Sequence, residues 1–552
     1  MNKIKLLLSI FLISFLVLAS FPQIIVKAQN SMIYIRADGT VEGTDKIVRD
    51  GNFYSLVEDL SFSIDIMDVF ITIEKDNIIF DGNQKTIQGT GNGIGIEARG
   101  RTNIIVKNLR IIDFGIGIEV RSKDPEQNTT GSNNHFLNNY IDAKYFSLDL
   151  NTNNGTVSDN TLISRTNKYG IIFNGNNTVF SNNKFVASGL IVYEALVGNI
   201  FFNNTINGKP LVYLQNQSNQ IIDEAAQVIL MDCNSITVKN VNTAAQLRVI
   251  INLFSTNNTK ITNCTGNIAL SNCHNNIIVD NQLEDKASMV SYDSACIKLS
   301  VSNNNTIKGN SIVATGSRGV SLIGSSYNNV QGNQISSTGE AGVEIELTSL
   351  FNYIKENSII CLEDGIYING ARNTFVLNNV ITDCKNGVKL FSSLENSLVA
   401  NNISRCTQYA VYLARSDNNT FYYNNFVNNP TPFYEEHDFY YPFPSTYYSE
   451  GNRWDNGEEG NYWSDYTGTD NDGDGIGDSP HFIYENKIDN YPLMDPVDIS
   501  EIPEFTSWTI LPLLLVATLS VIFVRRKIFL SNKRRINNLT KKVLLILSIE
   551  LE

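Results

Sequence analysis

Hydrophobic and polar positions alternate in short runs along most of the chain, and the runs return at a fixed interval. Gly170-Ile171-Ile172-Phe173, Gly319-Val320-Ser321-Leu322, Gly342-Val343-Glu344-Ile345, Gly365-Ile366-Tyr367-Ile368 and Gly387-Val388-Lys389-Leu390 are β-rich runs. Their apolar residues alternate with others, which turns one side of a strand toward a core. Between the runs lie phrases rich in Asn that end on an aliphatic or aromatic residue. They read Asn138-Asn139-Tyr140-Ile141, Asn160-Thr161-Leu162-Ile163, Asn182-Asn183-Lys184-Phe185 and Asn203-Asn204-Thr205-Ile206. Later copies are Asn310-Ser311-Ile312, Asn333-Gln334-Ile335, Asn357-Ser358-Ile359, Asn378-Asn379-Val380-Ile381, Asn401-Asn402-Ile403 and Asn424-Asn425-Phe426. From Asn310 onward the steps are 23, 24, 21, 23 and 23 residues.

A repeat of about 22 residues holds three short strands and three turns, and such a period marks a solenoid. Gly and Asn tolerate the tight corners that a strand coil needs. Ala, Leu and Glu runs at helical spacing are too few for a helical solenoid. The predicted fold is therefore all-β: a right-handed, single-stranded parallel β-helix of about 16 rungs, rising ~4.8 Å per rung. Stacking sets the repeated Asn over one another, where they can form an amide ladder, and sets Ile, Val and Phe in a buried column. Spacing is less regular between Asn203 and Asn310, which predicts longer loops or a bulged rung there.

The ends of the chain differ from its body. A basic start, the apolar run 6–18 and the small residues around Ala28 read as a signal peptide, 1–28. An N-terminal cap (29–76), the coil (77–429) and a C-terminal cap (430–497) follow. A linker (498–507) leads to an uncharged apolar stretch, 508–524, with Arg525-Arg526-Lys527 directly after it. That order predicts a single-pass membrane helix, a body outside the cell and a basic cytoplasmic tail, 525–552.

Charge fits the exterior placement. Between residues 29 and 524 there are 31 Lys and Arg against 54 Asp and Glu. A surface this acidic disfavours nucleic acid and suits cations or neutral sugars. Sequons such as those at Asn128, Asn154, Asn176, Asn203, Asn257, Asn304, Asn402 and Asn418 make glycosylation an expectation for a secreted body. Seven cysteines lie in the coil: Cys233, Cys264, Cys273, Cys296, Cys361, Cys384 and Cys406. Three alternatives stay open for them: a column of buried thiols, disulfides between neighbouring rungs, or a soft-metal thiolate site.

Candidate chemistry is concentrated in two places. Asp470, Asp472, Asp474 and Asp478 stand at positions 1, 3, 5 and 9 of an EF-hand-like loop, with Gly475 at position 6. This predicts a structural Ca²⁺. Position 12 is His481 rather than Glu, so Asp489 or water would complete the shell. The second place is an acidic patch of Glu340, Glu344, Glu346, Glu363, Asp364 and Asp383, with Lys385 and Arg372 as basic neighbours. Glu344 and Glu346 are two apart and share a strand face. Tyr327, Tyr353, Tyr367 and Tyr412 are candidates for stacking on a sugar chain.

The phrase Gly460-Asn461-Tyr462-Trp463-Ser464-Asp465-Tyr466, the Asp-rich loop and Asp489-Asn490-Tyr491-Pro492-Leu493-Met494 resemble the C-terminal signature of NosD-like β-helix proteins. The Asn repeats resemble the carbohydrate-binding and sugar-hydrolase repeats of that superfamily, which implies a pectin-lyase-like coil. Tyr34-Ile35-Arg36-Ala37-Asp38-Gly39 looks like the start of archaeal surface members, and Ile502-Pro503-Glu504-Phe505 resembles archaeal Pro-Glu-Phe sorting tails. The resemblance to NosD implies a part in maturing a copper enzyme, yet four His and six Met form no cluster suited to copper. Three readings follow. A membrane-anchored surface protein binds a polysaccharide or surface glycan, or acts as a scaffold, without catalysis. A polysaccharide lyase or glycoside hydrolase uses the acidic patch. A copper-delivery accessory protein acts beside a transporter.

Overall fold

The computed structural model describes residues 31–499, apart from 64–67, 123–130, 167–168, 193–196, 243–249, 286–293, 437, 440–445 and 448. The expected signal peptide, most of the linker, the apolar stretch 508–524 and the basic tail lie outside the described residues. Among the described residues no helix is long and apolar enough to cross a membrane.

Every run of alternating residues becomes a strand, and the strands stack into a parallel β-solenoid of about 15 turns. One rung shows the pattern. Arg318–Ile323 lies in a first wall, Asn329–Gln331 in a second and Gln334–Ser337 in a third. The chain then climbs to Ala341–Glu346, which pairs in parallel with Arg318–Ile323. Inward positions are Val320 and Leu322 from the first wall, Val330 from the second and Ile335 from the third, all buried. The same places one rung on hold Val343, Ile345, Ile354 and Ile359. β-Branched residues fit this pleated, one-sided burial.

Asparagine makes the corners. Asn304, Asn373, Asn378 and Asn418 adopt φ of +59°, +53°, +53° and +56°, a left-handed conformation that Asn tolerates better than most residues. Buried Asn close to these corners form the expected ladder. Side-chain amides pass from Asn310 to Asn333, Asn357, Asn379, Asn401, Asn424 and Asn461 with N···O distances of 2.9–3.0 Å. A second ladder was not expected. It runs Asn276, Asn305, Asn328, Asn352 and, further on, Asn396, Asn419, Asn452. Asn305 and Asn310 bracket the strand Thr306–Lys308, and Asn328 and Asn333 bracket Asn329–Gln331. The two ladders thus hold both ends of the second wall.

The coil runs past both expected boundaries. Ser31–Ile35 pairs in parallel with Val69–Ile73, which pairs with Thr86–Glu97, so stacking begins before Asn77. The alternating Ile33, Ile35, Val69, Ile71 and Ile73 already fill the core there. At the other end, Thr431–Glu436 stacks on Tyr409–Ala414, and Tyr462–Trp463 on Asn425–Val427. The open core is closed by two indoles: Trp454 stacks on Phe421 at 4.4 Å and Trp463 on Phe426 at 4.3 Å.

The irregular stretch after Asn203 is a change of construction. Asn207 and Gly208, with φ of +48° and +83°, form a hairpin in which Ile206 pairs antiparallel with Lys209. Such a pair of positive φ values suits a two-residue hairpin. Beyond it, the steps Leu211 to Gln227 and Ile251 to Ile268 take only 16 and 17 residues, while Ile268 to Ile297 takes 29. The expectation of longer loops covers only the last of these. Among the described residues no third-wall strand stands between Thr205–Ile206 and Gln282–Asp285.

Candidate functional site

Four glycines set the register of the first wall. A Cβ at Gly319, Gly342, Gly365 or Gly387 would lie 2.5–2.7 Å from the carbonyl oxygen of the next rung and 2.4–2.5 Å from an Ile Cγ2 in the core. Aligned on these glycines, the outward residues form columns. One column reads Lys298, Ser321, Glu344, Tyr367, Lys389, Tyr412, Tyr434. Beside it stand Ile323, Glu346, Asn369, Phe391, Ala414, Glu436. On the other side, Ala341, Asp364, Asn386, Tyr409, Thr431 follow one another.

Charges on this face are arranged along the stack. Arg318 Nε lies 2.5 Å from Glu344 Oε2, and the same guanidinium pairs with Glu340. The Ser321 hydroxyl donates to Glu344 at 3.2 Å. Glu344 is almost fully buried, and that burial pushes its carboxyl up to about 7 against the pull of Arg318. Asp364, one rung on, is also raised by burial, although the Asn386 amide donates to it at 2.7 Å. The Lys389 ammonium lies 3.7 Å from Asp364 and sits over the rings of Tyr367 and Tyr412, 5.1 and 5.0 Å from their centroids. Tyr409 and Tyr434 stack at 4.5 Å, Tyr412 and Tyr434 meet at 5.4 Å, and the Tyr412 hydroxyl donates to Glu436. Burial, with Asp364 and Glu346 nearby, pushes the Tyr367 hydroxyl up to about 12.

Of the six acidic candidates, Glu340, Glu344, Glu346 and Asp364 come together on this face. Glu363 and Asp383 do not: they pair with Lys385 at 2.6 Å and Arg405 at 2.8 Å. Arg372 is exposed at a corner, bridged to Leu350 and Leu394, and is no neighbour of the patch. The cations that do serve it are Arg318 and Lys389. Of the four tyrosines, Tyr367 and Tyr412 share the column. Tyr353 stacks on Phe375 in the second wall and Tyr327 on Phe351 at a corner, at 4.8 and 5.3 Å.

The acidic loop is partly as expected. Asp470, Asp472 and Asp474 bring one carboxylate oxygen each within 4.8 Å of the others. Gly473 and Gly475 turn the backbone with φ of +78° and +87° and donate their N–H groups to Asp470 at 2.7 and 2.9 Å. Asp478 instead accepts from the Asn471 backbone N–H at 2.9 Å. His481 packs on Trp463 and Tyr466. Asp489 is not available to the loop. It is buried beneath the closing indole and accepts from Trp463 Nε1 at 2.9 Å, from the Asn461 N–H at 2.8 Å and from the Tyr491 N–H at 3.1 Å. The acidic triad has the hard oxygen donors that Ca²⁺ takes.

Donors for copper are of another kind. All seven cysteines are buried free thiols, and burial pushes Cys264, Cys273 and Cys361 up to about 11 and Cys406 up to about 12. Among the described residues the acidic triad is the group of three or more metal-type side chains that converges.

A family model described as periplasmic copper-binding protein (NosD) matches residues 213–335 and 313–468. No curated protein matches the chain. Among solved structures, the periplasmic alginate epimerase AlgG is 11% identical with a TM-score of 0.25, covering 76% of this chain and 82% of that one. A tailspike mutant of the E. coli bacteriophage HK620, in complex with a hexasaccharide, is 12% identical with a TM-score of 0.29, covering 65% and 71%. The A-module of the Azotobacter vinelandii mannuronan C-5 epimerase AlgE6 is 13% identical with a TM-score of 0.18, covering 73% and 88%.

Proposed function

Since a NosD family model matches residues 213–468 of this parallel β-solenoid, we propose that the chain is a NosD-like cell-surface protein whose first wall binds an extended glycan without cutting it. Removal of residues 1–28 would free the body, and 508–524 with its basic flank would hold it in the membrane. The observation that carries the binding reading is the outward column Glu344, Tyr367, Lys389, Tyr412, Tyr434, flanked by Asp364, Asn369 and Asn386. Tyrosine rings for pyranose stacking stand there beside a lysine and next to carboxylate and amide groups for hydroxyls, at one strand spacing of ~4.8 Å per rung. The same triad of aspartates would hold a structural Ca²⁺ near the C-terminal cap; a rise in melting temperature with Ca²⁺ that survives Asp470→Ala would discard that assignment.

The test is retention of the full chain on immobilised polysaccharides, with new chain ends measured on the same samples. Retention without cleavage, lost in Tyr367→Ala and Tyr412→Ala, supports the reading. Retention that neither variant changes would overturn it. A second reading has its own observation: Glu344, with a carboxyl near 7, stands one rung from Asp364, and a raised carboxyl suits a proton donor in glycoside hydrolysis. Cleavage that disappears in Glu344→Gln would replace binding by hydrolysis.

A further inference from the structure

Resting on the glycan-binding reading, we infer that the first wall takes an uncharged polysaccharide and excludes polyuronates and other polyanions. The inference comes from the charges that the column holds and from how they are committed. Among the described residues Lys298, Arg318 and Lys389 face this surface, and Arg415 stands beside it over the Phe391 ring. Five carboxylates face them: Glu340, Glu344, Glu346, Asp364 and Glu436.

Arg318 is held by two carboxylates, Glu340 and Glu344, and is itself mostly buried. Lys389 is fixed from three sides, by Asp364 and the two tyrosine rings. A uronate or sulfate would have to draw one of these cations out of its present contacts. It would also bring a negative charge within a rung or two of Glu346 and Asp364, and like charges at that range cost binding. An uncharged pyranose meets no such penalty. Its hydroxyls can donate to the half-buried Glu340 and Glu346 carboxylates and to the Asn369 carbonyl oxygen, while its apolar face covers a tyrosine ring.

The experiment measures binding of the full chain, in detergent, to three soluble polymers: a neutral β-glucan, a polygalacturonate and a de-acetylated polyglucosamine. Each is measured at low and high salt. The expected result is binding of the neutral polymer alone, unchanged by salt and weakened at least about tenfold by Tyr412→Ala, the loss expected from ~1.4 kcal/mol of stacking. Tyr412→Phe keeps the ring and is expected to keep most of the affinity, which separates stacking from misfolding. Tighter binding of polygalacturonate, lost with salt and in Lys389→Ala, would overturn the inference while leaving glycan binding standing. Tighter binding of the polyglucosamine would overturn it in the same way. Failure of all three polymers, with the chain folded, would overturn the inference together with the reading beneath it.

Discussion

The indole N–H of Trp463 donates to the carboxylate of Asp489 at 2.9 Å, beneath the ring that closes the end of the coil. The same carboxylate accepts from the Asn461 side-chain amide at 3.3 Å, so the long amide ladder ends on an acid. Asp489→Ala would leave Trp463 Nε1 and the Asn461 backbone N–H buried without acceptors. At roughly 1–3 kcal/mol for each unsatisfied group, the loss of stability is several kcal/mol. Asp489→Asn keeps one acceptor oxygen and is expected to cost less than half as much. Urea unfolding of the two variants checks this; equal midpoints for wild type and Asp489→Ala would contradict it.

Within the ladder, Asn379 accepts from the backbone and side-chain N–H groups of Asn357 and donates to Asn401 and to the Ile354 carbonyl. Asn379→Ala breaks the row on both sides. The expected cost is about 2–4 kcal/mol, since Asn357 and Asn401 are both buried and each loses its bond. Asn379→Asp is expected to be no better, because the acid lacks the two donors. Denaturant midpoints decide the matter, with a substitution at exposed Ser358, next to Asn357 in the row, as the control.

Gly365 has no room for a side chain. A Cβ there would sit 2.6 Å from the Gly387 carbonyl oxygen and 2.5 Å from Ile381 Cγ2. Both neighbours belong to the packed stack, so neither can withdraw without moving a strand. Gly365→Ala is expected to destabilise by about 1–3 kcal/mol and to disturb the tyrosine column next to it. Paired measurements of unfolding and glycan retention would show both effects; an unchanged midpoint would mean that the wall yields more easily than close packing allows.

Glu344 gives the protein a pH dependence of defined sign. Its carboxyl is raised by burial from 4.5 to about 7, so the folded chain keeps a proton that the unfolded chain has released. The stability this contributes is complete below about pH 4.5 and is lost as the pH rises through about 7, up to about 3 kcal/mol in all. Asp489, raised by burial to about 6, acts in the same direction. Unfolding midpoints are therefore expected to fall between about pH 5 and about pH 8, and less steeply in Glu344→Gln. A midpoint that rises over that interval in both proteins would refute the assignment.

Much of this was legible in the chain, and what was missed has a common cause. The fold, the Asn310-to-Asn424 ladder and the shared face of Glu344 and Glu346 follow from period and alternation, which are local properties. The second ladder lies five residues upstream of the first, at Asn305, Asn328 and Asn352. A regular Asn-x-x-x-x-Asn spacing would have revealed it, but Thr374 interrupts the row and adjacent corner Asn obscure it. The partners of the acidic patch were missed because ion pairs in a solenoid run along the stack. Arg318 reaches Glu344 across 26 residues of sequence and Lys389 reaches Asp364 across 25, while Lys385 pairs with Glu363 and Arg372 stands at a corner. Aligning the rungs on Gly319, Gly342, Gly365 and Gly387 would have placed Tyr367 beside Lys389 directly. Asp489 was misread for a different reason: its burial beneath Trp463 depends on the closing of the core, which no repeat encodes.

The hairpin at Asn207-Gly208 divides one molecule into two accounts of cooperativity. Upstream, the amide row passes from Asn139 through Asn160 and Asn183 to Asn204 and stops; downstream, a new row runs from Asn281 to Asn461. In a structure where each layer speaks only to its neighbours, such a break is a natural fault line. Strain or loss of order entering from either terminus would meet it before crossing, and the tyrosine column lies wholly on the C-terminal side.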